Sequence, residues 1–179
     1  MVFGLGNARI LELLDRLGAE LSARGQTANL YIIGGAAMTI AYGRTTATLD
    51  IDAHSAQREV LRDIASQIAR DERLPPDWLS FNASAFIPGG ESLESTMHRR
   101  TGGLTYEVAS PRVLLAMKMS AYRAKDLEDI RLLIAYLRIT TVREIMQIMD
   151  AFFDGESVPR YDRADVLLNA REVIELVQR

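Results

Sequence analysis

The chain has no cysteine among its 179 residues. That excludes disulfides, thiolate metal sites and cysteine nucleophiles, and it suits a reducing cytoplasm. No apolar run reaches the roughly 18 residues that a membrane helix needs. The opening "MVFGLGNARI" has no basic stretch followed by a long apolar one. Neither a membrane span nor a secretory signal is therefore expected. Positive charge is not in excess either: 21 Lys and Arg stand against 24 Asp and Glu, for a formal net charge of -3. This argues against binding nucleic acid through overall charge and leaves only a local basic patch for that role. There is no Gly-x-x-x-x-Gly-Lys-Ser/Thr loop, no Gly-x-Gly-x-x-Gly fingerprint and no Gly-x-Ser-x-Gly elbow. The P-loop, Rossmann and serine-hydrolase readings lose their main support with them.

What remains is sufficient for a core. Hydrophobic residues make up 48% of the chain, and its length fits one domain, or a compact domain with a small helical appendage. Residues 8 to 23 place Ile10, Leu13, Leu14, Leu17 and Leu21 on one helical face, with Asn7 as the expected N-cap and Gly25 as the stop. "NLYIIGG" reads as a short buried strand ended by glycines, and "AAMTIAYG" as a short helix closing at Gly43. "ATLDIDA" alternates Leu49, Ile51 and Ala53 against Asp50 and Asp52, the period of a half-buried strand, which places both carboxylates on one face. Residues 57 to 70 form an amphipathic helix through Val60, Leu61, Ile64 and Ile68. "DWLSFNASAFIPGG" is open between a helical turn and a strand with a loop, and the polar stretch from Gly89 to Gly103 between a mobile loop and a hairpin.

"GLTYEVAS" alternates Leu104, Tyr106 and Val108 against Glu107, as a strand does. Ser110 then caps a helix whose first residue, Pro111, lacks an N–H that the first turn does not need. "KDLEDIRLLIAYLR" follows, with Leu127, Ile130, Ile134 and Leu137 at helical spacing, and helices near 141 to 152 and 163 to 177 flank the loop "FFDGESVPRYD". The order predicts an α+β fold, a small mixed sheet with flanking helices followed by a C-terminal helical bundle. The expected division is a core over residues 1–110 and a helical part over 111–179 packed on it.

Asp50 and Asp52 are the first candidates for chemistry. Two carboxylates on one face of a strand can share a divalent cation, and Mg²⁺ takes one or two carboxylates together with substrate phosphates. A turn at a solvated strand end is the plainer alternative. Gly34 and Gly35 stand between a strand and a helix, where backbone N–H groups near a positive helix end can receive phosphate. The plainer alternative there is a tight turn that uses permissive residues.

Taken together, Ile33, Gly34, Gly35, Asp50, Ile51 and Asp52 resemble the nucleotidyltransferase superfamily related to DNA polymerase β. Its pattern is an apolar residue, Gly, then Gly or Ser, a spacer, and Asp-apolar-Asp. Gly35 stands where many members have Ser. The stretches "GGAA" and "GRTTATLDID" are similar to the bacterial branch of that superfamily. A second block, "SPRVLLAMKMSAYRAKDLEDIRLL", resembles the Lys-bearing helix and Lys-Asp-x-x-Asp segment of AbiEii-type and related nucleotidyltransferase-like toxins. The resemblance covers most of residues 28 to 135.

The resemblance implies transfer of a nucleotide from an NTP to an RNA (tRNA) or protein acceptor with Mg²⁺ or Mn²⁺, by a cytoplasmic toxin that an antitoxin restrains. By position it implies Asp50 and Asp52 as metal ligands and Lys118 with Asp126 as the completing pair, Asp129 being the alternative acid. Glu107 takes the place of the third acid that polymerase-β-like enzymes put on a neighbouring strand; equally, it can point to water. Lys118 also has a plainer reading, a lysine reaching out from a core helix to solvent. Lys125, Asp126 and Asp129 have one too, as charges of a helix start and a solvated face. Arg44, Arg123 and Lys125 are the phosphate candidates beside the two blocks. His54 and the cluster His98, Arg99 and Arg100 read as surface groups, and a basic loop of the latter kind can also meet a phosphate. A non-catalytic nucleotidyltransferase-like subunit that binds or regulates is the second functional expectation.

Overall fold

Leu13, Leu14, Leu17 and Leu21 recur at a spacing that only a helix brings to one side, and all four are buried in α1, Asn7–Ala23. The computed structural model describes residues 4–83, 87, 94–153 and 162–177. The chain divides into two compact units, Met1–Ala85 with Ser95–Ala109, and Phe86–Glu94 with Ser110–Arg179.

The first unit is built on a five-stranded sheet. Its strands are β1 Ala28–Ile32, β2 Ile51–His54, β3 Leu79–Ser80, β4 Ser95–Thr101 and β5 Leu104–Ala109, in the order β3-β2-β1-β5-β4. β1 runs parallel to β5 and antiparallel to β2, β2 and β3 are parallel, and β4 and β5 form an antiparallel pair joined through Gly102. The polar stretch from Gly89 therefore contributes the outer strand of a hairpin. Residues 88–93 lie outside the described part. "DWLSFNASAFIPGG" supplies the short strand β3, and its residues 84–86 are likewise not described.

Register assigns the two faces. Leu30 stands opposite Tyr106, Ile32 opposite Val108, and Ile32 also opposite Ala53. These residues, with Ile51 and Leu104, are buried. α1 lies against β4 and β5, and it also meets α2, Gly34–Ala41, and α3, Arg58–Glu72. The other face carries one row across four strands, His98, Glu107, Tyr31 and His54. Asp52 is two residues before His54 on β2, so it belongs to this second face.

Two local expectations are corrected. The cap position of α1 is Gly6, and Asn7 is already helical without a side-chain cap. The acidic strand begins at Ile51, and Leu49, expected on its buried side, is 65% exposed. The cause is a change of partner: Thr48 exchanges main-chain hydrogen bonds with Leu5, the chain bends at 49–50, and Ile51 N then donates to Trp78 O at 2.7 Å.

The second unit is helical: α4 Pro111–Ala121, a 3-10 turn Ala124–Asp126, α5 Leu127–Leu137, α6 Val142–Phe152 and α7 Arg163–Val177. α4 lies against α5, α6 and α7. Ser110 caps it as its sequence requires, its Oγ accepting from Val113 N at 3.2 Å. α6 opens on a reciprocal capping box between Thr141 and Glu144. Residues 154–161, between α6 and α7, are outside the described part. Among the described residues, no helix is long and apolar enough to cross a membrane.

Candidate active site

In the first unit, β1 runs directly into α2. Ile33 is extended and its N–H donates to Asp52 O at 2.9 Å, which carries the β1–β2 ladder up to the acid. Gly34 then turns the chain with φ +64°, a left-handed conformation that costs an L side chain about 1–2 kcal/mol. A Cβ at Gly34 would lie 2.9 Å from Asp52 Oδ2, so the carboxylate rests against the bare glycine. At Gly35 a Cβ would lie 2.6 Å from Arg44 Nη1 and 2.7 Å from Thr48 Oγ1. The structure thus brings Gly34, Gly35, Arg44 and Asp52 together at the first turn of α2. Thr48 joins them, a residue that the motif reading passed over although it stands two positions before Asp50.

Asp50 lies in the bend before β2, half-buried like Asp52. Because the strand starts one residue later, its period does not set the direction of the Asp50 side chain. Among the described residues, no group of three or more His, Asp or Glu stands as a metal site. Two half-buried carboxylates offer hard oxygen donors but not a complete cage. That donor set fits Mg²⁺ or Mn²⁺ completed by substrate phosphate and water.

Glu107 is placed differently. It pairs with Tyr31 on β1, and its Oε1 lies 3.0 Å from His98 Nδ1 across the β4–β5 hairpin. It shares the face of Asp52 but stands two strands away from β2 and one step along the register. Arg99 and Arg100 are exposed on the same edge strand β4, and His54 is exposed at the end of β2.

The second unit holds a buried ion cluster. Lys118, on α4, is 6% exposed; its Nζ lies 3.0 Å from Asp126 Oδ1 and 2.8 Å from Asp129 Oδ2. The lysine does not reach out to solvent, and Asp129 is a full partner rather than an alternative to Asp126. Arg123 Nε closes the other side of Asp126 at 2.6 Å from Oδ2. Burial pushes the Asp126 pKa up, but the hydrogen bonds and charges of Arg123 and Lys118 outweigh it and hold the carboxyl below its ordinary value. Lys125 sits in the same 3-10 turn with an exposed side chain.

A mixed sheet with an acidic strand against a glycine-led helix, accompanied by a helical unit, is the architecture of a nucleotidyltransferase. The family described as "Nucleotidyltransferase of unknown function (DUF6036)" matches residues 9–175, and the chain belongs to it. No curated protein and no solved structure matches the chain.

Proposed function

We propose that the chain is a divalent-metal-dependent enzyme that moves a nucleotide from an NTP to an RNA, such as tRNA, or to a protein acceptor. The observation that supports this reading is the meeting of Asp52, Gly34, Gly35 and Arg44 at the first turn of α2. A phosphate chain approaching that turn finds backbone donors and a guanidinium beside the Asp52 carboxylate that would carry the metal. Asp50 and Asp52 would hold Mg²⁺ or Mn²⁺, which when bound neutralises phosphate charge and orients the triphosphate.

In the transfer, an acceptor hydroxyl oxygen forms a bond to the α-phosphorus, the bond to the bridging α–β oxygen breaks, and pyrophosphate leaves. Lys118 would offset the charge growing on the phosphates, with Asp126 and Asp129 fixing the position of its ammonium. Arg123 and Lys125 are the accompanying cations. A carboxylate held ionised by two cations is a poor base. The acceptor's proton therefore falls to Glu107, whose hydrogen-bond partner is His98.

The biological setting follows the resemblance: a cytoplasmic toxin of a toxin–antitoxin pair. The test is incubation with each labelled NTP, Mg²⁺ and total cellular RNA or lysate. One class of macromolecule should acquire label, and Asp50→Ala or Asp52→Ala should lower the rate by several orders of magnitude, each order being about 1.4 kcal/mol. Near-wild-type transfer by either variant defeats the assignment. One observation favours a second reading, a non-catalytic binding or regulatory subunit: Lys118 is engaged by two carboxylates at once. Tight capture of a partner without label transfer from any NTP would establish it.

A further inference from the structure

The two outer strands of the sheet are built differently. β3 has two residues, whereas β4 has seven and is the longest of the five. An outer strand of that length offers a row of main-chain N–H and C=O groups to another chain, and proteins usually shorten or cover it. No strand pairs with this edge among the described residues, and no residue of β4 is buried. The hairpin fixes which groups face outward. Gly102, with φ +53°, and Gly103 form a two-residue loop, so Thr101 and Leu104 are the hydrogen-bonded pair beside it. Pairs alternate from there. Arg99 exchanges main-chain bonds with Tyr106, and the main chain of His98 and of Arg100 faces away from β5.

The side chains add a sign. β4 contains no acid, and His98, Arg99 and Arg100 are all exposed. His98 answers Glu107 across the hairpin, and Arg100 Nε meets Gly102 O at 3.4 Å. Asp15 of α1 is taken up at the far end of the strand, accepting from the Thr101 hydroxyl at 2.8 Å. We infer that the outer edge of β4 receives an extended, acidic segment of a partner protein as a further strand. This goes beyond nucleotide transfer and does not rest on it. Arg99 and Arg100 lie on opposite faces, so two neighbouring acids on the added strand each find a cation. The charges also choose among occupants. A second copy of the chain paired through β4 would bring two such cationic runs together, which is destabilising. A nucleic-acid phosphate accepts hydrogen bonds and donates none, so the outward carbonyls of His98 and Arg100 would go unanswered. A peptide answers N–H, C=O and charge together.

The test is fluorescence anisotropy of the full chain with the labelled peptide Thr-Val-Thr-Val-Glu-Glu-Val-Thr-Val-Thr. Its Lys-Lys counterpart, a version N-methylated throughout and oligouridylate serve as the other probes. The acidic peptide should bind at least tenfold more tightly than each of these, or ~1.4 kcal/mol, and more weakly as salt rises. In hydrogen exchange it should protect the amides of His98 and Arg100 and leave that of Arg99, already bonded to β5, unchanged. Arg99→Glu with Arg100→Glu changes exposed side chains; it should keep the melting temperature and prefer the lysine peptide. Equal affinity for the acidic and N-methylated peptides overturns the strand pairing. Tighter binding of oligouridylate, or no binding of the acidic peptide by the folded wild-type chain, overturns the proposal. Protection of the same two amides by dimerisation without peptide assigns the edge to a second copy and overturns it as well.

Discussion

A buried ammonium between two buried carboxylates is worth most when all three are present. Asp126 and Asp129 are 3% and 2% exposed, so removing the lysine charge leaves two acids in a poorly solvated place. Arg123 still answers Asp126, while Asp129 loses the ion pair that holds it. Lys118→Met should therefore lower the unfolding free energy by about 3–5 kcal/mol in urea titrations, and Lys118→Met with Asp129→Asn should recover part of it. The acid dependence has a definite sign. The pKa of Asp126 in the folded chain lies below its ordinary value of 3.8. Its contribution to stability is complete above that value and is lost as pH falls through the lower, folded one. Asp126→Asn should flatten this acid limb in pH-dependent melting. The resemblance placed Lys118 and Asp126 together, but the equal role of Asp129 was not legible. The chain from 118 to 129 passes a helix end and a 3-10 turn, so no single helical period states which side chains meet.

At the scale of the element, regular stretches were readable and junctions were not. The leucines of α1, the alternation of β5 and the Ser110-Pro111 start of α4 each follow one period or one cap rule, and the structure has them where that rule puts them. The segment before Asp50 obeys the strand alternation in its letters yet is not a strand, because Thr48 is paired to Leu5 and the chain must bend to reach Trp78. That pairing joins positions more than 40 residues apart, and no local pattern encodes it. The difference has a measurable consequence. Leu49→Ala should change stability by no more than about 0.5 kcal/mol, whereas Ile51→Ala, one residue inside the core strand, should cost about 2–5 kcal/mol. Equal losses in denaturant titrations would restore Leu49 to the core.

Over the whole molecule, the two blocks that carry the family resemblance fall in different units, the glycines and Asp52 in one and Lys118 with its acids in the other. The matched family spans both. The α+β class was legible because short alternating runs precede long helical ones. The pairing of β4 with β5 is not legible in the letters, because a polar segment reads equally well as a loop. Whether both blocks serve one nucleotide is a question for ligand-induced stabilisation. A ligand that binds only the folded chain raises stability by about 2.7 kcal/mol at a hundred times its Kd. Mg²⁺-NTP should raise the melting temperature of the wild-type chain, and Asp52→Asn should abolish the rise. Lys118→Met, compared with its own unliganded melting temperature, should keep the rise while losing label transfer by orders of magnitude. Under the proposed function its charge would act when the bond to pyrophosphate breaks rather than when the triphosphate is first held. If this variant, assayed below its own melting temperature, keeps both the rise and the transfer, the lysine serves only the interior of its helical unit.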